Sequence, residues 1–193
     1  MIDEVVAQLL RSPVTVQAAL DTGLEGLTRT SGFYAWWITE QALSDLPGPS
    51  HPTAPGLRLL YVGIAPRNAA SSSTIRSRVK GNHLGGNTGS STFRFALASL
   101  LRSELDLHPY PRVTPRSTNY LLPPGENARL TGWQRQHLRL TWCERAQPWE
   151  IEAAVIHRMQ PPLNVAANRE HPFSSMIRLA RKDFRRAAVE GAR

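Results

Sequence analysis

The sequence predicts an α+β fold in which a small three-stranded mixed or antiparallel sheet is flanked by helices. Two apolar runs, residues 32–38 and 57–64, are separated by a loop rich in Pro, Gly and Ser, as an antiparallel hairpin requires. A third run, residues 138–143, alternates in part between apolar and polar side chains, which is typical of a strand. Helical patterns lie between and after these runs, so the expected order of elements is β-β-α-α-β-α.

The chain before the first strand is predicted to be helical. Residues 3–21 have the pattern of two short helices, with Ser12 as a helix cap and Pro13 at a first helical position. A chain of 193 residues suits one domain with a buried core and a short extension at each end. We therefore expect a helical extension over residues 1–30, a main domain over residues 31–168 and a basic C-terminal helix over residues 169–193.

After the hairpin, two helices are predicted in succession. The first runs from residue 74 to about residue 81, where Ile75 and Val79 lie four positions apart on one face. The second begins at Ser91 or Thr92, after a glycine-rich stretch. That stretch lacks the Gly-Lys-Ser/Thr ending of a nucleotide-binding loop, so no nucleotide cofactor is expected.

The second half of the chain combines an irregular segment with two further helices. The prolines in residues 109–125 argue against regular structure there. A short helix is expected at residues 131–137. A longer one is expected at residues 149–160, where Pro161 and Pro162 end it.

The charge of the chain predicts a polyanionic partner. The formal net charge is +8 and the isoelectric point is near 10.7, and clustered Lys and Arg displace counterions from a phosphate backbone. Nucleic acid is the natural candidate, and an acidic membrane surface is the alternative. No stretch approaches the roughly 20 apolar residues that span a bilayer, so an integral membrane protein is not expected.

Two further features favour the cytoplasm. The first ten residues include Asp3 and Glu4 and lack the basic start and the cleavage site of a secretory signal. Cys143 is the sole cysteine, so neither an intrachain disulfide nor a cysteine-based zinc site can form. A reducing compartment is consistent with both observations.

Two tripeptides on the predicted hairpin carry the clearest functional signal. Gly-Phe-Tyr at residues 32–34 and Tyr-Val-Gly at residues 61–63 resemble the two half-motifs of the GIY-YIG nucleases. The resemblance continues through residues 75–79 on the next helix and ends with Glu152 and Asn164. This family includes excision-repair nucleases, homing endonucleases and type II restriction enzymes, so the resemblance implies a metal-dependent DNA endonuclease.

The resemblance also implies roles for individual residues. Tyr34 and Tyr61 match the two active-site tyrosines of the family, Glu152 matches its metal ligand and Asn164 matches its active-site asparagine. A single carboxylate of this kind suits Mg²⁺ or Mn²⁺, which keep most of their waters and complete their shell with substrate phosphate. The metal prediction therefore depends on Glu152.

The catalytic arginine and histidine leave alternatives open. Arg78 matches the family arginine, because it lies three residues after Ile75 and directly before an apolar residue, and Arg76 is the alternative. Some relatives place a histidine one helical turn after the arginine, where it helps the tyrosine act as a base. Asn82 occupies that position here and His83 follows it, so either residue could assist catalysis.

The chemistry of phosphodiester hydrolysis requires the same residue types. It needs a base for water, positive charge beside the phosphate oxygens and stabilisation of the departing oxygen. A phenol with a pKa near 10 is a poor base at neutral pH unless nearby positive charge lowers that pKa. A metal ion or Arg78 could supply this charge, and a guanidinium can also bind two phosphate oxygens at once.

Basic residues on three helices are predicted to contact the DNA backbone. The C-terminal helix places Met176, Ala180 and Phe184 on one stripe and most of its basic residues on other faces, although a solvated face explains this pattern equally well. The predicted contacts are Arg76, Lys80, Arg94, Arg178, Arg181, Lys182 and Arg185.

The long loops between the motifs resemble those of the restriction enzymes, so a stand-alone restriction or genome-defence nuclease is the leading hypothesis. A non-catalytic nucleic-acid-binding module on the same fold is an alternative of a different class. A repair or mobile-element nuclease is a further one. Cutting both strands at a symmetric site would call for a homodimer.

Overall fold

The computed structural model describes residues 1–23 and 30–191 and shows an α+β fold with an antiparallel sheet at its centre. The strands are β1 (Val14–Thr15), β2 (Gly32–Thr39), β3 (Leu57–Ala65), β4 (Tyr110–Thr114), β5 (Ser117–Leu121) and β6 (Leu138–Glu144). The helices are α1 (Ile2–Leu9), α2 (Val16–Ala18), α3 (Thr92–Leu100), α4 (Pro124–His137), α5 (Glu152–Met159) and α6 (Ser174–Glu190). Two π-helices, Ala19–Gly23 and Ser77–Leu84, and a 3₁₀ turn, Pro148–Glu150, complete the described chain.

The aromatic run of the first motif forms the central strand of the sheet. The strand order is β1-β6-β2-β3, and β2 pairs antiparallel with both β3 and β6. Alternate side chains of β2 enter two separate cores, with Trp36 in one and Trp37 in the other. A strand covered on both faces needs apolar residues throughout, which explains why residues 32–38 are continuously apolar.

Helices cover both faces of this sheet. α1 and α5 pack on one face, where Val5 and Val155 share a core with Phe33. The π-helix Ser77–Leu84 and helices α3, α4 and α6 pack on the other face, around the core that contains Trp36. The predicted fold class is confirmed, and none of the helices in the described ranges combines the length and apolar character needed to cross a membrane.

The N-terminal segment adds a strand that the sequence did not predict. Val14 pairs with Leu140 and Thr15 with Arg139, so the sheet has four strands rather than three. The pair is too short to show strand periodicity in the sequence. Residues 24–29 of the predicted extension and residues 192–193 of the predicted C-terminal helix lie outside the described residues.

The proline-rich segment is an antiparallel hairpin instead of an irregular loop. β4 and β5 pair from Tyr110 opposite Leu121 to Thr114 opposite Ser117. Pro111 is tolerated because a two-stranded ribbon leaves one edge of each strand free of partners, so no ladder hydrogen bond needs its missing N–H. β4 packs against α6, which places the hairpin beside the C-terminal helix.

Arg94 is an internal support of the fold rather than a DNA contact. Its side chain has a relative exposure of 0%, so a nucleic acid cannot reach it and the prediction for this residue is wrong. One guanidinium nitrogen donates to the carbonyls of His83 and Leu84 at 3.0 and 3.1 Å and to Gln134 Oε1 at 2.7 Å. The other donates to the backbone oxygen and Oδ1 of Asn127. Arg94 thereby ties the end of the π-helix to α4.

Candidate active site

The glycine of the second tripeptide makes room for the tyrosine of the first. Tyr34 on β2 lies directly opposite Gly63 on β3. A Cβ atom at position 63 would lie 2.5 Å from the Tyr34 hydroxyl oxygen, closer than real contacts allow. Gly32 is equally constrained, because a Cβ there would overlap the carbonyl oxygen of Cys143. Gly63 therefore leaves room for the phenol of Tyr34 over β3, and Gly32 leaves room for the close approach of the Cys143 backbone.

Tyr34 is hydrogen-bonded to a histidine from the π-helix. The distance between the Tyr34 hydroxyl oxygen and His83 Nε2 is 2.7 Å, and both side chains are fully buried. The other ring nitrogen, Nδ1, lies 2.8 Å from Ser91 Oγ, which also caps α3 by accepting the backbone N–H of Arg94. His83 is thus held at both nitrogens and its ring orientation is fixed.

The π-helix brings His83, rather than Asn82, one turn after Arg78. In an α-helix the residue four positions after Arg78 lies one turn further on, whereas the i to i+5 bonding of a π-helix makes one turn one residue longer. The backbone N–H of Gly85 bonds to the Lys80 carbonyl at 2.8 Å, which is this i to i+5 pattern. The histidine one turn after Arg78 is therefore His83, while Asn82 is only half-buried.

Burial keeps His83 neutral. Desolvation lowers the pKa of His83 well below 6.5, and the positive charges of Arg78 and Arg94 lower it further. A neutral imidazole donates from one ring nitrogen and accepts at the other. His83 is consequently able to accept a proton near neutral pH, which a protonated imidazole is not.

Arg78 lies among the other groups of the site. Burial raises the pKa of Tyr34, with a contribution from Tyr61, and the charge of Arg78 opposes this shift without cancelling it. Burial likewise raises the pKa of Tyr61, and Arg78 again opposes the shift. Nearby positive charge therefore does not make either phenol acidic in this structure. Tyr34 needs a proton acceptor beside it, and His83 is in that position.

Glu152 reaches the same cleft from the opposite face of the sheet. It is the first residue of α5, and with Tyr61 it lines a cavity of about 340 Å³ at the edge strand β3. Burial raises the pKa of its carboxyl group and the charge of Arg78 lowers it. The negative charge of Glu152 in turn raises the pKa of both tyrosines, so the carboxylate acts electrostatically on the same two phenols as Arg78.

The donor set around Glu152 suits a hard divalent ion with few protein ligands. Within residues 1–23 and 30–191, no three His, Cys, Asp or Glu side chains cluster as a metal cage. Among these residues the Glu152 carboxylate makes no hydrogen bond or ion pair, and it faces an open cavity. One free carboxylate beside space for water and phosphate is the arrangement that Mg²⁺ accepts.

Asn164 lines the cavity, but its amide is occupied by the backbone. Its Oδ1 accepts the N–H of Val62 at 2.9 Å, and its Nδ2 donates to the Val62 carbonyl at 2.7 Å. Leu163 adds a backbone bond to Leu60 at 3.1 Å. These bonds fasten the segment after α5 to β3, beside the cavity that Glu152 and Tyr61 line.

The other basic residues that were predicted to contact DNA lie at different positions relative to the cavity of Glu152. Arg76 and Lys80 line a separate surface depression, whereas the charge of Arg78 influences the pKa of both tyrosines. Arg178 and Lys182 are exposed on α6. Arg181, in contrast, is half-buried and lines the cavity of Glu152. Arg181 could not be distinguished from its basic neighbours on α6 from the helical pattern alone.

The arrangement suits one kind of chemistry. A neutral imidazole behind a phenol can remove a proton from water, and a guanidinium with a nearby carboxylate-bound cation can neutralise a phosphate in a partly dry cleft. The fold and the site therefore define a nuclease domain. The model of the GIY-YIG catalytic domain family matches residues 32–183, and the chain belongs to this family. No curated protein and no solved structure matches the chain significantly. Nucleases of the family generally use divalent metal ions.

Proposed function

We propose that the chain is a metal-dependent DNA endonuclease in which Tyr34 and His83 together activate the attacking water. The observation that carries this proposal is the 2.7 Å distance between the Tyr34 hydroxyl oxygen and His83 Nε2, next to Arg78. The net charge of +8 supports a nucleic acid substrate.

The proton moves in two linked steps. With the Nδ1 proton of neutral His83 directed at Ser91 Oγ, Nε2 accepts the hydrogen bond of Tyr34. As Tyr34 takes a proton from water, it passes its own proton to Nε2 of His83. A free phenolate, which is high in energy in a buried site, therefore never forms. Because Tyr34 is fully buried, water must reach its hydroxyl group when the substrate is bound.

The other groups bind and neutralise the phosphate. We expect Arg78 to hold two phosphate oxygens, because its charge is not consumed by an ion pair within 4.0 Å among the described residues. Tyr61 borders the cavity and orients the phosphate from the edge strand. Asn164 acts through the backbone by keeping α5 against β3.

Glu152 would hold Mg²⁺ or Mn²⁺. A bound divalent ion supplies Lewis-acid stabilisation of the charge that develops on the phosphate and the departing oxygen. Glu152 contributes by presenting an unpartnered carboxylate to the cavity, and the charge of Arg78 opposes the rise in its pKa that burial causes.

A stand-alone restriction or genome-defence role in the cytoplasm is the biological context we propose. It rests on the long loops between the motifs and on the lone buried thiol of Cys143. A homodimer is expected if the recognition site is symmetric. A repair or mobile-element nuclease has the same chemistry and differs in its substrate.

Nicking of a supercoiled plasmid tests the proposal. We expect cleavage in Mg²⁺ and its loss in EDTA. Glu152→Gln should abolish it, whereas Glu150→Gln, a matched change at an exposed carboxylate two residues earlier, should not. Equal nicking by both variants would contradict the metal assignment. Tight DNA binding without cleavage by the wild-type protein would instead indicate a non-catalytic binding module.

A further inference from the structure

Two arginines of α6 are stacked on a single phenylalanine of α3. The Cζ atom of Arg181 lies 5.7 Å from the centroid of the Phe95 ring, and that of Arg185 lies 5.1 Å from it. The ring is itself braced edge-on by Phe184, with centroids 5.5 Å apart. Such contacts hold both guanidinium groups beside the Phe95 ring.

Arg181 brings an uncompensated charge into the catalytic cavity. It lines this cavity with Tyr61 and Glu152, and its charge lowers the pKa of Tyr61. Its Nε is buried without a hydrogen-bond partner among the described residues, and one terminal nitrogen makes a long bond of 3.4 Å to the Thr92 carbonyl. No carboxylate oxygen of the described chain lies within 4.0 Å of it. A half-buried cation in this state is able to bind an anion.

Arg185 lines a groove next to the catalytic cavity. This groove has a volume of about 260 Å³ and lies between the start of α3 and the β4–β5 hairpin. Thr92 lines both cavities, so the groove begins where the catalytic cavity ends. Its lining has no acidic side chain and is otherwise built from small polar residues, Tyr120 and Phe95. Its chemistry suits a phosphate backbone.

We propose that Arg181 and Arg185 hold neighbouring phosphates of the strand that is cut, and that this strand leaves the catalytic cavity along α6 and enters the groove beside the hairpin. Residues four apart on a helix are separated by about 6 Å along its axis. One DNA strand carries a phosphate for every ~3.4 Å of helix rise, so this spacing fits phosphates one or two nucleotides apart. The inference that the bound strand is the one that is cut rests on the proposed function. The inference that Arg181 and Arg185 bind a DNA strand does not.

The same helix provides a control. Arg186 carries the same charge but lies 3.0 Å from Asp183 Oδ1 and 3.9 Å from Glu190 Oε1, and it lines neither cavity. Nonspecific attraction between a basic helix and DNA would weaken equally when any of the three arginines is neutralised. If the strand follows the proposed path, its binding depends on Arg181 and Arg185 and not on Arg186.

The test is the salt dependence of DNA binding in the cleavage-deficient Glu152→Gln protein. Fluorescence anisotropy with a short labelled duplex of mixed sequence gives the slope of log Kd against log salt concentration. Each phosphate contact contributes about 0.9 to this slope for a duplex and about 0.7 for a single strand. Arg181→Gln and Arg185→Gln should each reduce the slope by that amount, and Arg186→Gln should leave it unchanged.

Lysine variants separate charge from packing. Arg181→Lys and Arg185→Lys keep the positive charge and should restore the slope that the glutamine variants lose, because that slope counts neutralised phosphates. Equal slopes for all three glutamine variants would overturn the proposal. A loss that lysine does not restore, with a matching drop in Tm, would overturn it in favour of a packing role. The wild-type protein could fail to cut DNA while these slopes are as expected. That result would refute the proposed nuclease function but would still support DNA binding by Arg181 and Arg185.

Discussion

His83 lies one π-helical turn after Arg78 and places its Nε2 atom 2.7 Å from the hydroxyl oxygen of Tyr34. The extra residue in the turn matters, because α-helical spacing would place Asn82 at this position. π-turns occur frequently at functional sites. Here the π-helix brings an imidazole within hydrogen-bond distance of a buried phenol.

The close contact between Gly63 and Tyr34 predicts opposite effects for two glycine-to-alanine changes. Gly63→Ala should destabilise the protein by about 1–3 kcal/mol, because the new methyl group overlaps the phenol. Gly132→Ala, at an exposed position in α4 with nothing near the new Cβ, should stabilise it by about 0.5–1 kcal/mol. Urea denaturation measures both. Equal stability of the two variants would show that Tyr34 does not occupy the space over Gly63.

The buried bonds of Arg94 predict a large loss of stability on truncation. Arg94→Met retains much of the aliphatic stem but leaves the carbonyls of His83, Leu84 and Asn127 without their donor. We expect a loss of about 3 kcal/mol or more in the free energy of unfolding. Arg112→Met, at an exposed position in β4, should change it by no more than about 0.5 kcal/mol. Similar small losses for both would contradict the internal role of Arg94.

His83 predicts a loss of stability in acid. Its pKa is lowered in the folded protein, so below about pH 6.5 the unfolded chain binds a proton that the folded chain does not. Stability contributed by neutral His83 is therefore complete above that pH and declines as the pH falls towards the folded pKa, with a slope of up to ~1.4 kcal/mol per pH unit. His83→Gln should have a flatter profile between about pH 7 and about pH 5. Parallel profiles for the two proteins would show that the pKa of His83 is the same in the folded and unfolded states.

The sequence predicted the strands of the site because their constraints are local. Each tripeptide places its glycine and tyrosine on an apolar strand, and alternation fixes which face the tyrosine occupies. Glu152 followed from the family resemblance together with its place on an amphipathic helix. The sequence left Asn82 and His83 undecided, because a π-turn differs from an α-turn by one residue and has no clear signal of its own.

Long-range features could not be predicted in the same way. The burial of Arg94 depends on acceptors more than 30 positions further along the chain, and charged residues are usually exposed. β1 is defined by its pairing with β6 rather than by its composition. The role of Arg181 depends on the stacking of α6 on Phe95, which a helical pattern does not reveal.

The rate of plasmid cleavage under single-turnover conditions tests the Tyr34 and His83 pair most directly. General acid–base groups contribute about 10²–10⁴-fold to a rate. We expect Tyr34→Phe and His83→Gln each to lower the rate by about 10²-fold or more. The double variant should lose little beyond either single one, because the two side chains act as one unit. His157→Gln, an exposed control on α5, should cleave like the wild-type protein. Wild-type rates in the His83→Gln protein at neutral pH would contradict the account.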